Sequence, residues 1–160
     1  MGILTDDMKR VVREQRLGFA ATVCPDGTPN LSPKGTTAVW DDDHLVFAHI
    51  RSPNTIANLR RNPAIEINVV DPVVRKGYRF KGSAAVLTQG PLYEEILASY
   101  RQGPRAVQEE IAERIEGIVL IKVERALPLI SPAYDEGATE DEVSTRWQRY
   151  WDGLRRNRRT

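Results

Sequence analysis

The chain holds one cysteine, Cys24, in 160 residues. A single thiol excludes an internal disulfide and any cysteine-rich metal centre, and it suits the reducing cytoplasm, where the protein is expected to work. There are only two histidines, His44 and His49, and neither has the spacing of a metal site. No apolar run approaches the ~20 residues needed to span a bilayer. Met1–Thr5 leads straight into Asp6 and Asp7 without a basic start or apolar core, so no signal peptide is expected. Neither sign of charge dominates: 23 Lys and Arg stand against 22 Asp and Glu, a net charge of +1. That removes the global electrostatic case for nucleic acid or an anionic membrane as partner.

What is present is an ordinary globular composition, 41% apolar and 28% charged, in a length that fits one domain with a real core. Thr5–Leu17 reads as a short helix capped by Thr5 and ended by Gly18. Phe19–Cys24, a turn at Pro25–Thr28 and a returning strand Pro29–Trp40 make a hairpin over residues 19–40. Leu45–His49 is the next strand, followed by a helix from Ser52 to the Asn62-Pro63 stop. Ala64–Asp71 alternates cleanly, with Ile65, Ile67 and Val69 on one face. Gly77–Thr88 is a long strand in which Gly82 marks a bulge or bend. Helices over Gly90–Arg101 and Pro104–Ile115 come before a last strand, Glu116–Ala126, apolar enough to be buried on both faces. Hairpin connections imply a mainly antiparallel sheet, and six strands are enough to curl into a barrel.

The tail, Leu127–Thr160, has a different character. A turn-rich connector, SPAYDEG, leads to Thr139 and Glu142, which form a capping box. The helix that follows carries Val143, Trp147, Tyr150, Trp151 and Leu154 on one side. This stripe needs a partner surface, either its own domain or a second subunit. The basic end, LRRNRR, suits the C-terminal dipole of that helix.

Two stretches are rich in donors. At Ser52-Pro53 the serine is a good N-cap and the proline fits the first helical position. A helix start leaves free N–H groups and the positive end of the dipole, a seat for phosphate. Arg51, Asn54 and Thr55 add donors around it. The second stretch is Ser32-Pro33-Lys34-Gly35-Thr36-Thr37. As a strand it sets Ser32, Lys34 and Thr36 on one face about 7 Å apart, and Gly35 admits a flat ligand close to the backbone. A capped surface helix and a bulged edge strand are the plain alternatives. Elsewhere, Cys24 reads as a small apolar filler, Lys81 and His44 as solvated, and Glu109, Glu110, Glu113 and Glu116 as a solvated face. No side chain stands out as acid, base or nucleophile.

Residues 19–40, with their DGxPxxSPKG pattern, the SxxTxxNL helix start at Ser52 and the strand YRFKGSAAVL together resemble the pyridoxamine 5′-phosphate oxidase-like, FMN-binding split β-barrel family over residues 10–125. The resemblance is nearer the small FMN-binding and general-stress-type members than the biosynthetic oxidase. It implies a six-stranded split β-barrel (α+β) over residues 1–126, with peripheral helices and a C-terminal helical extension over 127–160. It also implies a homodimer with FMN at the subunit interface. The family's first FMN segment falls on Ser32, Pro33, Lys34, Gly35, Thr36 and Thr37, its second on Ala48 and His49. Its phosphate segment falls on Ser52-Pro53-Asn54, followed by Thr55 and Asn58. The family often has a cation where Asn54 stands. Neutralisation here would then rest on Lys34, Arg51 or Arg60, and one lost charge-assisted contact is worth ~1–3 kcal/mol.

FMN also asks for an apolar wall, for which Trp40, Phe47 or the tail aromatics are candidates. An FMN-dependent oxidoreductase acting on an unidentified small substrate is the leading expectation. The alternatives are a non-catalytic electron carrier or redox sensor, and a split barrel that holds a deazaflavin or haem, the last with His49 as its foothold.

Overall fold

In the computed structural model, residues 2–103 and 105–158 are described. Helix α1 (Asp6–Gln15) is capped by the Thr5 hydroxyl, which accepts from the Met8 amide, and it buries Val11 and Val12. It ends earlier than Gly18, at Arg16, which takes a left-handed conformation with φ of 53°. Gly18 instead opens strand β1 (Gly18–Val23). A Cβ there would come within 2.6 Å of the Thr37 hydroxyl and 2.7 Å of Ile67, so close packing is what needs the glycine.

The expected returning strand, Pro29–Trp40, is broken. Its first half is β2 (Pro29–Lys34), its second the two-residue β3 (Ala38–Val39), with a turn at 35–37 between them. There follow β4 (His44–His49), α2 (Pro53–Arg61), β5 (Ala64–Asp71) and β6 (Lys76–Leu87). After α3 (Pro91–Arg101) and the short α4 (Glu109–Ala112) comes β7 (Gly117–Ile130), then α5 (Glu140–Asn157). The break raises the strand count from the expected six to seven, and they form one antiparallel sheet ordered β2-β1-β5-β6-β7-β4-β3.

That order forces the sheet to curl. β2 and β3 lie at opposite edges, yet only residues 35–37 separate them. Such a link reaches at most roughly 14 Å, so the two edges must come round to meet. The result is a split barrel with its seam at the 35–37 turn.

Inside the curl, Phe47, Leu45, Ile67, Phe80, Val119 and Ile121 form the main core. On the outside of β4 and β7, Val46, Ala48 and Ile118 pack with Ile96 and Tyr100 of α3. Burial on both faces explains the unbroken apolar run at the start of β7. β7 runs on past Ala126 to Ile130, because its second half pairs with the start of β6. The helix expected over Pro104–Ile115 shrinks to α4. Pro104 lies outside the described residues, Gly103 has φ of +124°, and the Val107 amide is taken by the Tyr100 carbonyl.

In the tail the capping box forms, with Thr139 and Glu142 satisfying each other's backbone amides. α5 buries Val143, and the Arg75 guanidinium lies 3.4 Å from the centroid of the Trp147 ring. Tyr150 and Trp151 remain exposed. Of the basic end, Arg159 lies outside the described residues.

Candidate functional site

The seam brings the two donor-rich stretches together. Thr36 is in the turn rather than on the strand face with Ser32 and Lys34, since β2 ends at Lys34. There its hydroxyl accepts from the Ala48 amide at 2.9 Å, tying the first segment to the second. The Tyr100 hydroxyl donates to the Thr36 carbonyl at 2.7 Å, and the Thr37 hydroxyl to the Lys34 carbonyl at 2.8 Å. Both Tyr100 and Thr37 are buried, so the turn is clamped from within. Tyr100 escaped the sequence reading because a lone tyrosine in an amphipathic helix gives no sign of the carbonyl it meets.

Lys34 is the centre of the site. Its residue is only 6% exposed, its ammonium donates to the Ser32 hydroxyl at 2.5 Å, and it sits 5.4 Å from the centroid of the Phe47 ring. No carboxylate pairs with it among the described residues. Burial pushes its pKa below the ordinary lysine value. Gly35 beside it is open, since a Cβ there would meet nothing within 4 Å.

The α2 start lies next to this group. Ser52 is its N-cap residue and Pro53 is within its first turn, as expected, but the Ser52 side chain makes no capping bond. Its Oγ sits instead 3.2 Å from His49 Nδ1, so the first amides of α2, including that of Asn54, have no side-chain cap. His49 Nε2 lies 3.4 Å from exposed Glu116. Burial holds the His49 imidazole below the usual histidine range. Glu116 pulls it back up, and the nearby charges of Lys34 and Arg60 push it further down. Lys34, His49, Arg60 and the positive end of α2 therefore share one neighbourhood, one that favours an anion.

Thr55 and Asn58 face the other way. Both are buried. Asn58 Nδ2 donates to the Thr22 hydroxyl at 3.1 Å, and Asn30 Nδ2 donates to Thr22 at 3.2 Å and to Thr55 at 3.3 Å. This network fastens α2 to the β1–β2 hairpin and so fixes where the helix start points. Pro33 is exposed, as is Arg51. Of the candidate ring walls, Phe47 is closed inside the core, Trp40 packs with the outer cluster, and Trp147 lies under Arg75.

The depressed His49 pKa carries a testable consequence. Between the folded pKa and the unfolded value near 6.5, the unfolded chain binds more protons than the native one, so stability falls as pH drops through that window. His49→Gln is expected to flatten this dependence. The drop in Tm from pH 7.5 to pH 5 should be smaller in the variant than in the parent; equal drops would mean that His49 is not held neutral.

Known proteins agree with this architecture. A family profile described as pyridoxamine 5′-phosphate oxidase matches residues 4–125. HupZ of Group A Streptococcus is 32% identical, with a TM-score of 0.68, over 81% of this chain and 96% of that one. An FMN-binding protein of Syntrophomonas wolfei has the same fold at 16% identity and a TM-score of 0.62, over 76% of this chain and 84% of that one. An F420 reductase shares it at 22% identity and 0.59, over 77% and 98%. No curated protein matches the chain. With the profile covering the whole curled sheet as far as Arg125, the chain belongs to the pyridoxamine 5′-phosphate oxidase family.

Proposed function

We propose that the protein binds FMN at the barrel seam and works as a cytoplasmic, flavin-dependent oxidoreductase on a small substrate. The observation that carries this reading is the buried Lys34 ammonium without a carboxylate partner, next to a helix start that lacks a side-chain cap. A buried cation left unpaired is costly, and the polar edge of a flavin ring, which gains negative charge on reduction, would supply a counterpart. The residues present fit such a group. Lys34, Ser32 and backbone amides beside Gly35 would hold the polar edge of the ring. Ser52, the Asn54 amide and Arg60 would hold the phosphate. Thr55 and Asn58 would act from behind, by fixing the helix that presents those amides.

When bound, FMN supplies the electron-accepting ring. The chain binds it, orients it and keeps one face of it from water. Lys34 would stabilise negative charge on the ring edge it faces. His49, held neutral and hydrogen-bonded to Ser52, would orient that hydroxyl.

We propose further that two chains pair, because Leu17, Phe19 and Leu31 are all exposed. Phe19 and Leu31 project from the outer face of the hairpin whose inner face carries Lys34. A second subunit there would bury them and supply the apolar wall that Trp40 and Phe47 do not.

The test is the absorption spectrum of the purified protein, followed by titration of the stripped protein with FMN. A yellow protein with saturable, one-to-one uptake is expected; a colourless protein that takes up no FMN overturns the reading. Stopped-flow reduction by nicotinamide cofactors then separates an enzyme from a carrier, since fast reduction followed by reoxidation with a defined acceptor marks turnover. A deazaflavin would use the same phosphate seat, and competition with FMN would reveal it.

A further inference from the structure

A second cationic group lies on the other side of the seam. A cleft of about 350 Å³ opens between α1, β3 and the loop after α3, with Lys9, Arg13, Arg16, Arg105 and Trp40 in its wall. Arg105 is held rigidly: Nε donates to the Val39 carbonyl at 2.7 Å, Nη2 donates to that of Trp40 at 2.8 Å, and the guanidinium sits 4.7 Å from the centroid of the Trp40 ring. Arg16 donates to the Ala106 carbonyl at 3.1 Å. These partners are neutral, so neither guanidinium charge is balanced by them. Arg13 has no carboxylate partner among the described residues, and it is close enough to Arg105 for its charge to push that group's pKa down, on top of the larger effect of burial.

The acids in the wall are already engaged. Asp42 pairs with Lys9 at 2.6 Å, and Asp41, which accepts from His44 and from the Asp43 amide, offsets part of the Arg105 charge, as does Glu95. The C-terminal end of α1 offsets part of the excess, but a helix end amounts to only about half a charge. Lys9, Arg13, Arg16 and Arg105 still outnumber Asp41 and Asp42 in one concave site, and each guanidinium group has donors to spare.

We propose that this cleft binds a compact, multiply charged oxyanion, a phosphate ester or a polycarboxylate. The guanidinium fork matches both planar carboxylate and phosphate edges, and the volume suits a small metabolite. Thr37 of the first flavin segment lies in the cleft wall, but the guanidinium groups of the cleft are on α1 and after α3 and are none of those assigned to the flavin.

The experiment is calorimetric titration of the protein with pyrophosphate and, separately, citrate, at constant ionic strength set with chloride. Saturable binding is expected, weakened roughly tenfold or more by Arg13→Ala, as for loss of a charge-assisted contact, and unchanged by Lys34→Ala. Arg13 is exposed, so the variant should keep the parent circular dichroism spectrum. Tighter binding of pyrophosphate assigns a phosphate ester, and tighter binding of citrate a polycarboxylate. Absence of saturable binding by either probe overturns the proposal. So does binding that Lys34→Ala abolishes and Arg13→Ala leaves intact, because the probe would then be in the α2 seat.

Discussion

Lys34→Met is expected to weaken FMN binding about ten- to hundredfold, the equivalent of a lost charge-assisted contact of ~1.5–3 kcal/mol, while the protein without flavin keeps or gains stability. The two effects have opposite signs for one reason. In the empty protein the ammonium is buried, with a serine hydroxyl as its hydrogen-bond partner. Burial lowers its pKa below 10.5. The unfolded chain therefore binds more protons than the native one just below pH 10.5, and at neutral pH the charged native form carries the whole cost. Methionine keeps an unbranched apolar side chain in that place and removes the charge. With flavin bound, the same charge is an attraction, and its loss weakens binding.

Ser52→Ala is the companion variant. Its hydroxyl caps nothing in α2, so the helix should lose little, whereas a ligand contact at the phosphate would be lost. Thermal denaturation of the flavin-free proteins and fluorescence titration with FMN measure both arms. Parent-like FMN affinity in Lys34→Met would place the cofactor elsewhere. A clear loss of stability in the flavin-free Lys34→Met protein would mean that the ammonium has a compensating partner.

Much of this was legible in the residues, and what was not has a common cause. Ala64–Asp71 was read with its observed ends because alternation is a local signal that one buried face imposes directly. The Thr139–Glu142 capping box is equally local. The strand break at 35–37 was not legible. Nothing in Ser-Pro-Lys-Gly-Thr-Thr says that its two halves pair with opposite edges of one sheet; that follows from how the rest of the sheet rolls. The Ser52 hydroxyl is the same kind of case. By propensity it should cap α2, but His49, three residues earlier, holds it instead. Thr55 read as a donor at the helix start and Asn58 came to the site only through the family resemblance, while Thr22 and Asn30, which meet them, lie in the distant β1–β2 hairpin. Arg105 and Tyr100 matter through backbone carbonyls of the seam, contacts that leave no pattern in the residues at either end.

Gly82→Val is expected to destabilise the protein by at least ~3 kcal/mol, above the usual range for overpacking, which in a domain of this size lowers Tm by roughly 6–12 °C. The sequence marked Gly82 as a bend, and the pairing of β6 with β7 slips there: Lys81 faces Arg125, while Gly82 faces Val123. The extra residue on β7 is Glu124, whose carboxylate accepts from the Ser83 hydroxyl at 2.9 Å. At the slip the strands come so close that a Cβ on residue 82 would stand 1.9 Å from the Lys122 carbonyl oxygen and 2.9 Å from its carbon. Backbone atoms of a paired strand cannot rotate away as a side chain can, so relief requires separating β6 from β7, and with it their ladder. The clash should extend to the site. Just beyond the bend, the Ala84 amide donates to the Pro63 carbonyl at the end of α2, so moving β6 moves the helix that presents the anion seat. Gly35→Ala is the control, because a methyl there meets nothing within 4 Å, and its Tm should stay close to the parent's. If thermal denaturation gives Gly82→Val the parent Tm, β6 does not approach β7 this closely.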